Sequence, residues 1–279
     1  MKLKFLGTSA AEGVPAVFCN CPNCKRARAL GGKDIRTRSQ ILIDTDTLFD
    51  FPMDTYMHVL NHNVDLSAVK RVLISHSHMD HCYPQEFIMR GGPFAHSLTE
   101  KTVEVICNDK VREMFLADTA REIRPEVAND IAVTAVHPFE RLNRGDMTII
   151  ALPAAHTKGE ECLVYYIERG GVGALLLNDT GTIEADVFAR LSDMGGKADV
   201  VTFDCTYGVI RHGPGRHMGL LDDVDQAEIL LKTGVIENSA KLICTHLSHN
   251  VGLDYSAMKE EAGKFGLTVA YDGMEVEII

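Results

Sequence analysis

The chain has 279 residues, 46% hydrophobic and 24% charged, ordinary globular values and a length that one large domain can fill, so residues 1–279 are read as a single unit. The formal charge of −11 excludes a generic polyanion binder, because no summed positive field would gather phosphates. Eight cysteines and no secretory leader in Met1–Leu6 imply thiols or metal ligands in a reducing, cytoplasmic setting; no run of about 18 apolar residues is present to span a membrane.

In chain order, Lys2–Leu6 alternates as an opening strand, and Gly7–Pro15 is a turn of small residues. Cys19-Asn20-Cys21-Pro22-Asn23-Cys24 then sets three thiols in six positions, a spacing of thiolate zinc ligands with Pro and Asn turning the backbone between them. Three thiolates leave one tetrahedral position for a ligand from elsewhere. The rivals are unrelated buried thiols and a redox pair at Cys21 and Cys24, which would not need Cys19. Six of the 14 residues Lys25–Arg38 are basic, a run that reads as a solvated face. Ser39–Asp44 and Thr47–Phe51 are strands about an Asp-rich turn. Asp54–His62 is a short helix whose His58 and His62, at i and i+4, lie on a partly exposed face with no acid nearby to make a metal site.

The apolar strand Val72–Ile74 runs into His76-Ser77-His78-Met79-Asp80-His81, three of the chain's 12 histidines in six positions. Alternate side chains of an extended stretch share a side, so His76 and His78 aim at one ion. Asp80 and His81 follow one turn later and suit a second ion, before Pro84 opens a helix. Strands are expected at Thr102–Cys107, Ile131–Val136 and Met147–Leu152, with a helix at Asp109–Glu122. Just past Met147–Leu152, His156 is expected as the third ligand of the first ion. Leu163–Glu168 and Gly173–Leu177 form a hairpin that ends on Asp179, a carboxylate placed either to bridge two ions or to cap a helix at Thr182–Leu191. Val200–Phe203 is a strand ending at Asp204. The glycine-rich loop Val209–Leu220 carries His212 and His217, Asp222–Lys232 is a helix, and strand Lys241–Cys244 ends in Thr245-His246-Leu247-Ser248-His249. A helix at Tyr255–Phe265 and short strands near Val269 and Val276 close the chain.

His76-x-His78-x-Asp80-His81, then His156, Asp179 and His246, each at a strand end, resembles the metallo-β-lactamase superfamily. The resemblance implies an α/β, four-layered αβ/βα sandwich of two mixed sheets with helices outside. It also implies two divalent ions, zinc or manganese, held by His76, His78, Asp80, His81, His156, Asp179 and His246. Leu6-Gly7-Thr8 through Gly13-x-Pro15, followed by Cys19-x-Cys21-x-x-Cys24, resembles a narrower branch that holds a phosphonate-utilisation cyclic phosphodiesterase and pyrroloquinoline-quinone biosynthesis B-type proteins. In that phosphodiesterase a His three positions after the last catalytic His completes a structural zinc site; His249 stands three after His246. A flavodiiron-type redox centre begins His-x-Glu, and His78 in the third position disfavours it.

The resemblance implies a hydrolase of small, cyclic phosphodiesters that uses a metal-bound hydroxide, since coordination lowers the pKa of water from about 15.7 toward about 7. His217, with Asp204 holding its tautomer, is the expected proton donor, and His212 the alternate. The alternatives are a transfer-RNA 3′-processing endonuclease and a non-catalytic metal-binding biosynthesis protein. Only 22 residues separate His156 from Asp179, enough for a hairpin and too few for the RNA-gripping arm of those nucleases. Nucleic acid and membrane are therefore not expected as partners, and a homodimer is an open assembly.

Overall fold

The computed structural model describes residues 1–278. The first half of the chain builds one seven-stranded sheet and the second half another. In the first, β1 (Lys2–Gly7), β2 (Gln40–Ile43), β3 (Thr47–Phe49), β4 (Arg71–Leu73), β5 (Val103–Cys107) and β6 (Ile131–Ala135) lie side by side in chain order. The second runs β7 (Arg141–Arg144), β8 (Met147–Pro153), β9 (Leu163–Arg169), β10 (Val172–Leu177), β11 (Val200–Asp204), β12 (Lys241–Thr245) and β13 (Thr268–Val269). The last strand, β14 (Glu275–Glu277), returns to pair with β1. Both sheets are mixed, antiparallel over their early strands and parallel beyond β3 and β10.

Alternation along the strands sorts the apolar residues to two faces. Leu3, Phe5, Ile41 and Phe49 of the first sheet meet Ile149, Tyr165, Ile167 and Ile243 of the second in a core between the sheets. Helices cover the outer faces. α2 (Thr55–His62) and α3 (Asp109–Thr119) lie over the first sheet, where Val72, Val105 and Phe115 pack together. α5 (Ala185–Asp193), α6 (Leu220–Lys232) and α7 (Tyr255–Gly263) lie over the second on Leu175, Val201 and Phe203. The remaining α-helices are α1 (Pro22–Leu30), which Cys21 caps and which contains Cys24, and the single turn α4 (Pro125–Ala128). The expected four-layered sandwich of two mixed sheets is what forms.

Departures from the expected elements have local causes. Pro84–Met89 is a 3₁₀ helix rather than an α-helix. α5 starts at Ala185 behind Glu184, so Asp179 caps nothing. α1 and β7 were not expected, because their sequences are dominated by charge and carry little apolar period. Lys25–Arg38 is not uniformly a solvated face. Arg36 is buried and donates to Thr8 Oγ1 and the Ala270 carbonyl, both at 2.7 Å, and Arg38 pairs with Asp54 at 3.0 Å. His58 is likewise buried, not on a partly exposed face.

The fold puts the chemistry at one edge. β10, β11 and β12 are parallel and in register, Leu177 opposite Phe203 and Phe203 opposite Cys244, so the residues that follow each strand emerge together. β3 and β4, paired with Phe49 opposite Leu73, deliver theirs from the facing sheet.

Candidate metal centre

Three overlapping groups of candidate ligands converge at this edge, the third being Asp179, Asp204, His217 and His246. His76, His78, His156 and Asp179 bring one ligand atom each within 4.8 Å of one another, and so do Asp80, His81, Asp179 and His246. His76 Nε2 is 2.9 Å from His78 Nδ1, which is 3.2 Å from His156 Nε2. A neutral imidazole has one N–H and one lone pair, and three ring nitrogens crowded this way are arranged as donors to one common point. On the other side, His81 Nε2 lies 3.1 Å from Asp80 Oδ2 and 3.0 Å from Asp179 Oδ2. His81 Nε2 and His246 Nε2 are nevertheless buried without an aligned hydrogen-bond partner. Orphaned buried nitrogens are costly unless something binds them, and the donor set, imidazole with carboxylate, fits a divalent ion.

Asp179 belongs to all three groups, and its backbone shows what that placement requires. Asp179, His246 and Asp50 have φ of 55°, 56° and 61°, the left-handed region that Asp, Asn and His tolerate best outside glycine. A strand cannot continue through such a residue, so each side chain is turned off the strand end into the site. Strained backbone of this kind persists where its surroundings over-determine it. Asn178, one residue earlier, ties the two sheets, accepting from Thr202 Oγ1 at 2.6 Å and donating to Ser39 Oγ at 3.2 Å.

The charges of the centre oppose one another. Burial, then the charge of His81, lowers the His76 pKa well below that of a free imidazole, and burial lowers His156 too, so both rings are neutral. At His81 burial works the same way, but Asp80, Asp50 and Asp179 outweigh it and raise its pKa well above the free value. Burial opposes ionisation of Asp80 and Asp179, yet the charges of His81 and His246 keep both below the usual carboxylate range. An anionic well that forces a proton onto a buried imidazole is a well a dication would fill.

Several side chains hold the ligands from behind. Asp50 Oδ2 accepts from His81 Nδ1 at 2.7 Å, and Thr206 Oγ1 sits 2.8 Å from His246 Nδ1. Glu160 takes the Ser77 amide and hydroxyl at 2.8 and 2.6 Å and the Asn108 side chain at 2.9 Å, pinning the loop between His76 and His78. Such partners fix the tautomer and orientation of a ligating imidazole. Asp50 was legible by the rule that singled out Asp179, an acid ending an apolar strand; Thr206 and Glu160 carry no such mark.

His217 and His212 separate clearly. His217 Nδ1 is 3.0 Å from Oδ2 of the fully buried Asp204 and 2.9 Å from Asp179 Oδ1. Burial would lower its pKa, but the two carboxylates prevail and raise it to about 10 in the ion-free site. His212 is exposed and stacked on Tyr207, centroids 4.2 Å apart and planes at 3°, outside every ligand set.

Cys19, Cys21, Cys24 and His249 form a separate set. His249 Nδ1 is 3.6 Å from Cys21 Sγ and 3.3 Å from Cys24 Sγ. The sulfurs accept backbone N–H bonds, Cys24 N on Cys21 at 3.4 Å and Ala16 N on Cys24 at 3.3 Å. The Cys24 amide, then His249, lowers the Cys21 pKa to about 6, while burial raises Cys24 to about 11. Four ligands of this kind fit a closed zinc site. Cys205, Asp223 and Cys244 also meet in the core, but burial raises the Asp223 pKa well above the carboxylate range, so a neutral acid lies beside two thiols and no fourth ligand completes the group.

Among the described residues no helix is long and apolar enough to cross a membrane. A family model for the beta-lactamase superfamily domain matches residues 40–247. Across its whole length the chain is 22% identical to all of coenzyme PQQ synthesis protein B of Methylorubrum populi. It is 27% identical over 158 residues to endoribonuclease ysh1 of Schizosaccharomyces pombe, where it spans one fifth, 20%, of that protein's length. Among solved structures it resembles a diphosphatase of the PhnP family (TM-score 0.72, 21% identity, 99% of this chain and 96% of that one). It also resembles zinc-bound PqqB of Methylobacterium extorquens (0.70, 17%, all of both chains) and the short form of human tRNase Z (0.65, 16%, all of both). With the family match covering most of the chain, this protein belongs to the metallo-β-lactamase superfamily of metallohydrolases.

Proposed function

We propose that this protein is a metal-dependent phosphodiesterase that hydrolyses small, cyclic phosphodiesters to monoesters. The observation that carries this reading is His217, held by buried Asp204 beside Asp179, the carboxylate common to both ligand sets. Two divalent ions, zinc or manganese, would be held by His76, His78, His156 and Asp179 and by Asp80, His81, Asp179 and His246, supplying Lewis acidity and a nucleophile drawn from water. Proton delivery to the departing alkoxide falls to the protein. With Nδ1 donating to Asp204, His217 keeps Nε2 as the nitrogen that gives a proton, and Asp204 favours the charged ring that gives it. Two dications against the charges of Asp80 and Asp179 leave the centre positive, which suits an anionic diester.

Names among the relatives, an endoribonuclease and a diphosphatase, favour chemistry at phosphorus. Small substrates are favoured over RNA by the −11 charge and by the interval from His156 to Asp179, which β9, β10 and their turn take up. The proton-donor role is tested with His217→Ala, which should keep its ions and lose about 10²–10⁴-fold in kcat on an alkyl diester. On a nitrophenyl ester, whose leaving group departs without a proton, the loss should shrink. Equal losses on both esters would remove His217 as donor.

A further inference from the structure

His58 and Gln40 belong to no ligand set, yet both are buried in a line of polar groups that ends on His81. Burial, then the charge of His62, lowers the His58 pKa to about 3, so the ring is neutral and carries one N–H. Its neighbours decide which nitrogen carries it. Gln40 Nε2 is 3.0 Å from the Asp50 carbonyl, which can only accept. It is also 3.1 Å from Thr55 Oγ1, whose own hydrogen goes to the Pro52 carbonyl at 2.7 Å. Two acceptors on one side orient the amide, with Oε1 turned to His58 Nδ1 at 2.6 Å. Nδ1 is therefore the donor, and Nε2 accepts from the Thr37 hydroxyl at 2.8 Å. The Thr37 hydroxyl also lies 2.6 Å from Asp272 Oδ2.

The line meets the ligands at Asp50. Its left-handed backbone, φ 61°, is held by the Gln40 bond to its carbonyl and by its own N–H on the Leu73 carbonyl at 2.7 Å. That setting lets one carboxylate accept from the Ser75 amide at 2.8 Å and from His81 Nδ1 at 2.7 Å. Without an N–H on Gln40 Oε1 the amide can turn over, and Asp50 loses the donor on its carbonyl. We propose that His58 is a positioning residue for the ion site of Asp80, His81, Asp179 and His246, acting on His81 through Gln40 and Asp50 by its Nδ1–H. This inference rests on reading those four residues as an ion site.

The test is zinc affinity, measured by competition with a chromophoric chelator on the purified full chain, comparing wild type with His58→Asn, His58→Gln and Gln40→Met. Asparagine places an amide N–H near Nδ1 and can still donate to Gln40; glutamine reaches the Nε2 position and keeps only the Thr37 contact. H58N should bind the second ion within about threefold of wild type. H58Q and Q40M should weaken it about tenfold, the low end of what outer partners of a ligating histidine cost, with the first ion and the cysteine-site ion unchanged. If H58N and H58Q bind alike, the ring is a space-filler and the inference is overturned. Should the His58 variants fold poorly, judged by Tm and loss of the cysteine-site ion, Q40M decides: unchanged second-ion affinity overturns the inference. A wild-type chain that takes up no ion beyond the first and the cysteine-site ion overturns the underlying reading as well.

Discussion

Asp179→Asn abolishes turnover and releases the active-site ions, while the ion at the cysteine site stays. Asn is the informative substitution because it keeps shape and tolerates the left-handed backbone, φ 55°, that this position needs. Alanine there would add strain of order 1–2 kcal/mol and confuse folding with ligation. Asn removes the charge and turns one acceptor oxygen into an NH2 donor, and that charge faces His76 at 3.4 Å, His81 at 3.0 Å and His246 at 3.7 Å. Partners one step further out cost about 10–100-fold in metal affinity when removed; a ligand shared by both sets should cost more than that for both ions. Elemental analysis after dialysis, with Tm as the folding control, reads the outcome. Two active-site ions retained at wild-type affinity would remove Asp179 from the centre.

Cys21→Ser has its largest effect on the fold. The site ties Cys19, Cys21 and the first turn of α1, which holds Cys24, to His249 in the turn after His246. Hydrogen bonds also cross this junction, Asn23 donating to the His249 carbonyl at 2.6 Å, Arg26 to the Gly252 carbonyl and Ser248 to Glu12, and the ion the four ligands would share adds to them. Binding free energy at a closed zinc site is folding free energy. A loss of about 3 kcal/mol in a chain of this size would lower Tm by about 6–12 °C. One ion per chain should go with it, read by elemental analysis beside calorimetry. A Cys21→Ser protein with unchanged zinc and unchanged Tm would rule out the structural site.

Residues close in sequence made much of this molecule legible, and residues brought together by folding made the rest opaque. His76 to His81 announce themselves, because strand alternation and one turn place four candidate ligands from six consecutive positions. His156, Asp179 and His246 were found by a weaker sign, a ligand-type residue just past an apolar strand. That sign works because parallel strands in register end at one edge. It would also have found Asp50. Glu160, Thr206, Gln40 and His58 escaped for a different reason: each acts through a partner 40 or more positions away or through another side chain, and nothing in their own surroundings marks them. The basic run misled, since a buried Arg36 is stabilised by Thr8 and the Ala270 carbonyl, partners from opposite ends of the chain. Strand and helix order read as one strand-rich domain with alternating helices, and the sandwich was implied by the family resemblance; α1 and β7, poor in apolar period, were not legible.

The central claim is small-diester hydrolysis at a two-ion centre, and side-by-side kinetics test it most directly. The metal-loaded full chain is given a cyclic phosphodiester, an aryl phosphodiester and a precursor transfer RNA, with ions per chain counted on the same sample. The account predicts hydrolysis of both small diesters to monoesters, abolished by chelation, with little or no cleavage of the RNA. Efficient RNA cleavage without activity on the small diesters, or bound ions with no turnover of any of the three, would contradict it.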